Sequence, residues 1–275
     1  MSSVSNEDLF GKALGKVFGR LPKDVVLVIF KHLPLRMAAL YLPYCHSDGT
    51  AGRFACPASE FIGNDPDGTD LIEWPTNPGR QLQMFEWLEA NKLTLEGRSV
   101  RILPVAHITH VGPLRRVRKL DLAWCEVERI SEFSGIHTLI LHKCNVWDFR
   151  GLTGVRVLDL SSTDIFDEHL DELISLGGVH TLDLSGCPGI LNADPLSHIR
   201  IHTLDLSWCK RLSGVGGLGG VHTLNLSYCQ DIDDFSALGR VHTLNLSGTL
   251  VKAKDLEALR GVKELILNCC RYIFD

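Results

Sequence analysis

Apolar residues in the second half of the chain recur at two nested periods. The short period is two: Leu182-Asp183-Leu184 sets leucines on one face and the aspartate on the other, as a strand does. The long period is close to twenty. The run Val179-His180-Thr181-Leu182-Asp183-Leu184-Ser185 returns with little change at 201–207, 221–227 and 241–247. Aligned on the central leucine, rungs fall at Leu120, Leu139, Leu158, Leu182, Leu204, Leu224, Leu244 and Leu265, with intervals of 19, 19, 24, 22, 20, 20 and 21 residues. Each rung predicts a short strand with its leucines facing inward.

The remainder of each rung follows a fixed order. Five residues after the central leucine stands Cys125, Cys144, Thr163, Cys187, Cys209, Cys229, Thr249 or Cys270, a small hydrogen-bonding residue at which the chain must turn. A second apolar residue follows (Val127, Val146, Ile165, Ile190, Leu212, Ile232, Val251, Ile273), then a third (Leu152, Leu176, Leu196, Leu218, Leu238, Leu259) that closes the convex side. A rung buries five or six apolar side chains at about 1.5–3 kcal/mol each. Ordering its backbone costs roughly 1–2 kcal/mol per residue. A single rung therefore does not fold alone, and the stacked array is the cooperative unit. This pattern resembles the leucine-rich repeat, with Cys or Thr where many members carry Asn. The fold expected is of the α/β class: a leucine-rich-repeat solenoid with parallel strands and short irregular or 3-10 convex segments, preceded by a small α-helical module.

That module lies over 1–48. Residues 21–33, Leu-Pro-Lys-Asp-Val-Val-Leu-Val-Ile-Phe-Lys-His-Leu, begin with a proline suited to a helix start and place Val25, Ile29 and Leu33 on one face. Pro34 ends this helix, and a second short one follows over 35–42 before Pro43. Leu-Pro, an acidic residue two on, paired aliphatics, Ile-Phe and a closing Leu resemble the first half of an F-box, a match covering about 30 residues. After Cys45 the chain reads His46-Ser47-Asp48-Gly49-Thr50, without the aromatic found in that family. The resemblance implies docking on a Skp-type adaptor of a cullin-RING ubiquitin ligase, with the repeats holding a protein substrate. By position, Leu21, Pro22, Val25, Val26, Ile29, Phe30 and Leu33 would form or support the adaptor surface. Turn formers crowd 49–79, predicting a linker or irregular loops. Over 80–115, Leu82, Phe85 and Leu88 share a helical side, and Leu93, Leu95, Val100 and Ile102 suggest a cap and degenerate rungs. The array proper occupies 116–275.

Composition narrows the function. The 275 residues are 45% hydrophobic and 22% charged with a formal charge of -5, which gives ample core and disfavours nucleic acid as a partner. Residues 1–19 carry charges and no long apolar run, so neither a signal peptide nor a membrane partner is expected. Of nine cysteines, six sit at the inward turn position, which favours free buried thiols and an intracellular, cytoplasmic or nuclear protein over a secreted one.

Candidate chemistry is sparse. His180, His202, His222 and His242 share one position and form a ladder that suggests a shared metal; without a carboxylate or thiol closing the shell, repeated solvated histidines are the plainer account. Asp121, Asp159, Asp183 and Asp205, then Asn225 and Asn245, line the central outward position, as a lure for a basic ligand or simply as a water-compatible face. No phosphate loop, paired-cysteine zinc motif or nucleophile-base arrangement is present, so no enzyme, cofactor or metal is expected. Departures from the repeat are more informative: Trp124, Trp208 and Tyr228 stand just before the Cys position, where other rungs have Lys143, Ser162, Gly186 or Gly248. Arg118, Trp124, His142 and Lys143, with Trp208 and Tyr228 as further contacts, are the expected partner-binding residues. Three readings result: a substrate receptor of a ubiquitin ligase, a leucine-rich-repeat binding module with no ubiquitin role, and, remotely, an enzyme on a repeat scaffold.

Overall fold

The computed structural model describes residues 62–64, 70–74, 98–102 and 117–273 except 128, 129, 147 and 151, together with positions 83, 86, 88, 95, 96 and 114. The F-box-like helix, with Leu21, Pro22, Val25, Val26, Ile29, Phe30 and Leu33, lies outside the described residues. The chain divides into two units, Met1–Val117 and Arg118–Asp275.

In the first unit, β1 (Ile62–Asn64) pairs antiparallel with β2 (Asp70–Trp74), and β2 pairs parallel with β3 (Ser99–Ile102). Two of these strands fall inside 49–79, where linker or irregular loops were expected. The reason is local: Ile62 stands opposite Ile72, which is fully buried, and the turn formers of 65–69 merely separate the two strands. Farther on, Gln83 and Glu86 are helical and exposed while Leu88 is helical and buried, in keeping with the expected amphipathic helix. Leu95, Val100 and Ile102 are buried, as a degenerate rung requires.

The second unit is an in-register parallel ladder of eight three-residue strands: β4 (Lys119–Asp121), β5 (Thr138–Ile140), β6 (Val157–Asp159), β7 (Thr181–Asp183), β8 (Thr203–Asp205), β9 (Thr223–Asn225), β10 (Thr243–Asn245) and β11 (Glu264–Ile266). Leu120, Leu139, Leu158, Leu182, Leu204, Leu224, Leu244 and Leu265 are partners in unbroken succession. The first seven are buried and Leu265, in the last rung, is half-buried. Regular strands, short return segments and a leucine spine make this unit a leucine-rich-repeat solenoid.

Each strand ends in one kind of turn. The residue just before the Cys or Thr position has positive φ in all eight rungs: Trp124, Lys143, Ser162, Gly186, Trp208, Tyr228, Gly248 and Cys269. The turn closes where the Cys125 N–H donates to the Leu122 carbonyl at 2.9 Å. The next rung then completes it, because the Cys144 thiol donates to the same carbonyl at 3.0 Å. Cys187, Cys209, Cys229 and Cys270 repeat this bond to Leu160, Leu184, Leu206 and Leu246 at 3.0–3.3 Å. A carbonyl has two lone pairs, and here both are satisfied in the dry interior. Thr163 and Thr249 instead donate to Leu160 and Leu246 of their own rungs. The expected free, inward thiols are found at all six repeat positions.

The return segments are 3-10 turns at Ile130–Phe133, Asp194–His198, Gly216–Gly220, Ser236–Arg240 and Ala253–Glu257. Among the described residues of this unit an α-helix, α1 (Asp167–Ser175), occurs in the longest interval, of 24 residues. That helix corrects one assignment: Leu170 and Leu173 are buried whereas Leu176 is half-buried, since an i, i+3 pair shares a helical face and Leu176 falls at the C-cap. Val127 is likewise half-buried, and Ile130 at the start of its 3-10 turn is buried.

Candidate functional site

Three rows of side chains run across the outward strand face of the second unit. The central row is Asp121, Asp159, Asp183, Asp205, Asn225 and Asn245, and it has a structural role that residue type alone did not reveal. In each case the side-chain oxygen accepts the backbone N–H two residues on, from Ala123, Ser161, Ser185, Ser207, Ser227 and Ser247, at 2.8–3.1 Å. Asp and Asn both supply that acceptor, which is why they interchange. The recurring Asp-Leu-Ser and Asn-Leu-Ser triplets carried the signal. Burial, opposed by the Ser185 hydrogen bonds and reinforced by Asp159 and Asp205, raises the Asp183 carboxyl above its ordinary value. Farther along, the Asn225 amide donates to Asp205 at 2.8 Å and removes the like-charge contact.

The row at the start of the strands contains the histidine ladder. Rings of His180, His202, His222 and His242 stack with centroids 4.7, 4.3 and 4.4 Å apart and planes within 11–15° of parallel. Their spacing follows from the strand spacing of about 4.8 Å. Nδ1 of His202, His222 and His242 lies 3.2–3.3 Å from the neighbouring threonine hydroxyl. Thr243 donates its proton to Glu264, so His242 Nδ1 is the donor in that pair. Among the described residues no group of three or more His, Cys, Asp or Glu is placed to hold a metal ion.

The third row is the positive-φ row, and the structure splits the expected partner residues between two clusters on it. In the first, Lys143 Nζ sits 3.9 Å from the centroid of the Trp124 ring, and His142 meets that ring edge-on at 5.9 Å. His142 is held there by a relay. Ser161 Oγ donates to Asp159 at 2.6 Å and so accepts from His142 Nδ1 at 2.7 Å. The serine proton goes to the carboxylate rather than the imidazole, an order that positions His142 and activates no nucleophile. Arg118 is exposed at the opposite end of β4 from Trp124 and is not brought into this cluster. In the second cluster, Trp208 and Tyr228 stack at 4.2 Å, with planes 18° apart. Tyr228 leans over Gly248, whose added Cβ would lie 2.7 Å from its ring. In the rung before Trp208 the same position is Gly186, which has no side chain.

Burial holds five of the described thiols in the protonated form. Burial, aided by Cys144 and Asp121, pushes Cys125 up to about 12, and burial pushes Cys144 up to about 11 and Cys229 up to about 12. Cys187 and Cys209 are raised for the same reason. Cys269 is the exposed thiol among the described residues. No helix among these residues is long and apolar enough to cross a membrane.

No protein-family model matches the chain, and no curated protein matches it. Solved structures with similar backbone include an internalin (inlF) from Listeria monocytogenes, at 16% identity and a TM-score of 0.41, covering 66% of this chain and 70% of that one. The functional domain of InlJ from the same organism, described as including a cysteine ladder, gives 13% identity and a TM-score of 0.36 over 73% of this chain and 54% of that one. The plant peptide hormone receptor RGFR1, solved in complex with RGF2, gives 13% identity and a TM-score of 0.41 over 75% of this chain and 36% of that one.

Proposed function

We propose that this chain is a non-enzymatic protein-interaction solenoid that holds a protein partner on the outward strand face, anchored at the Trp208–Tyr228 stack and at the Trp124–His142–Lys143 cluster. The observation that carries the reading is the choice of residue at the positive-φ turn. Glycine fits that backbone without strain and is present at Gly186 and Gly248, the rungs on either side of the stack. A large aromatic there costs about 1 kcal/mol or more, yet Trp124 and Trp208 are held in it with 55% and 51% of their surface exposed. Exposed, rigidly held aromatics concentrate binding energy at interfaces. Buried protonated thiols and the His142–Ser161–Asp159 relay, which activates no nucleophile, support a non-enzymatic role.

The finer reading is that of an intracellular substrate receptor of a cullin-RING ubiquitin ligase, with Leu21, Pro22, Val25, Val26, Ile29, Phe30 and Leu33 engaging a Skp-type adaptor and the repeats engaging the substrate. Its support is the Leu-Pro, Ile-Phe and Leu spacing ahead of a leucine-rich array. A pull-down of the intact chain against a Skp-type adaptor tests it. Binding by the wild type, lost in Ile29→Asp and Phe30→Asp with the array still folded, is the result expected. A folded wild type that ignores the adaptor leaves a binding module with no ubiquitin role.

A further inference from the structure

One return segment is nearly bare of side chains. The residue ahead of the aliphatic that opens each rung is arginine at Arg200 and Arg240 and glycine at Gly178, Gly220 and Gly261. The 3-10 turn Gly216–Gly220 is glycine at every position except Leu218. At Gly217 the reason is close packing, because an added Cβ would lie 2.7 Å from the Asp194 carbonyl oxygen. At Gly220 there is no such reason, since an added Cβ would meet nothing within 4 Å. What the missing side chains leave is a groove of about 370 Å³ whose walls include Ser197, Arg200, Gly217 and the rings of His180, His202 and His222.

The side chains on this groove that are charged or titratable are Arg200 and three histidines. Arg200 is exposed and brings a forked cationic donor set. His202 and His222 direct Nδ1 at Thr203 and Thr223, which turns Nε2 away from the strand. With Nδ1 accepting the threonine proton, or with the ring protonated, Nε2 carries a hydrogen. The carboxylate of Asp194 accepts the Gly217 N–H at 2.8 Å and does not line the groove.

We propose that this groove is a binding site for a phosphate monoester, with Arg200 and the Nε2 atoms of His202 and His222 as donors to the terminal oxygens, the His180 ring beside them, and the gap at Gly220 admitting the group. A phosphate monoester offers three strong acceptor oxygens and close to two charges, which matches a guanidinium fork and two oriented imidazoles on successive rungs. A carboxylate has two oxygens and one charge and would leave part of this set unused. Stacking of the rings 4.3–4.7 Å apart preorganises the donors.

The intact chain is titrated at constant ionic strength with inorganic phosphate, with blocked O-phosphoserine and with acetate, following the imidazole Cε1–H resonances. Saturable shifts centred on His180, His202 and His222 are expected with both phosphates, and much weaker ones with acetate. Arg200→Gln should weaken phosphate binding about tenfold or more, the scale of a lost hydrogen bond to a charged group. His202→Phe preserves a ring in the stack but removes its donor, and should also weaken binding. Gly220→Leu fills open space and should abolish binding in a chain that melts like the wild type, whereas Arg240→Gln should have little effect. Tighter binding of phosphoserine than of inorganic phosphate assigns a phosphorylated side chain as the source; the reverse order assigns a free phosphate, and both support the site. Absence of saturable shifts at these rings, acetate binding as tight as phosphate, or undiminished binding by Gly220→Leu overturns it.

Discussion

The indole of Trp208 lies against the ring of Tyr228, centroids 4.2 Å apart, although both residues sit at turn positions with φ near +60° that glycine occupies in the rungs on either side. Stability and recognition separate at this pair. Replacing Trp208 by Gly relieves about 1 kcal/mol or more of backbone strain and loses roughly 0.5–1.5 kcal/mol of ring stacking. Denaturant melts of Trp208→Gly should therefore fall within about 1 kcal/mol of the wild type. Affinity for the protein partner should fall at least about tenfold. A large stability loss with unchanged affinity would make the stack a packing element.

Trp124→Ala tests the other cluster. It removes the seat of Lys143 and the edge contact of His142, and should weaken partner binding about tenfold or more. Thr223→Ala lies in the repetitive part, where sliding a ligand by one rung changes few contacts, and should have little effect. Affinity measurements on the two variants decide the matter, because the opposite ranking would move the interface to the repetitive rungs.

Much of this architecture was legible in the sequence. Period-two alternation fixed which leucines face inward, and the twenty-residue recurrence fixed their register, because identical rungs can stack in register only on like residues. Other features depended on atoms that residue type does not specify. Leu176 was placed inside by its distance from the strand, but α1 turns through about 100° per residue and presents Leu170 and Leu173 instead. The Asp and Asn row was visible as a stripe, while the bond from Asp183 to the Ser185 N–H depends on the turn that follows. That turn itself was signalled by Gly186 and Gly248 at one repeat position. Ile62 and Ile72 pair across a cluster of turn formers that reads as linker when counted by composition.

A charge prediction follows from Asp183, whose carboxyl is raised chiefly by burial and further by Asp159 and Asp205. The folded state therefore holds this proton more tightly than the unfolded state. Ionisation burdens the fold at pH values above the raised pKa, and the burden disappears as pH falls below the unfolded value near 3.8. Asp183→Asn keeps an oxygen for the Ser185 N–H and gives Asp159 an amide neighbour, as Asn225 does for Asp205. It should stabilise the chain by about 0.5–1 kcal/mol at pH 7, the scale of a like-charge contact across strands. Melts repeated at pH 3 should show the gain gone. An equal gain at both pH values would mean that charge is not the cause.

Cys209 should show a loss of stability of the same sign, displaced to alkaline pH, and a clear rank of substitutions. Its thiol is fully buried and donates to the Leu184 carbonyl at 3.2 Å. Ala removes the donor and leaves a void, at a cost of about 1–3 kcal/mol. Thr should cost less, because Thr163 and Thr249 already fill this position by donating within their own rungs. Burial raises Cys125, Cys144, Cys187, Cys209 and Cys229 above the ordinary thiol value of 9.0. Above that pH the unfolded chain sheds these protons while the folded chain retains them. Stability is therefore fully present below pH 9 and declines as pH rises toward about 12, by at most roughly 1.4 kcal/mol per pH unit for each thiol. Melts of wild type and Cys209→Thr between pH 8 and 10.5 isolate one thiol from the tyrosines and lysines that titrate nearby. The Thr variant should lose less stability over that range. Parallel slopes would mean that the Cys209 thiol ionises in the folded chain as readily as in the unfolded one, contrary to its burial beneath the turn.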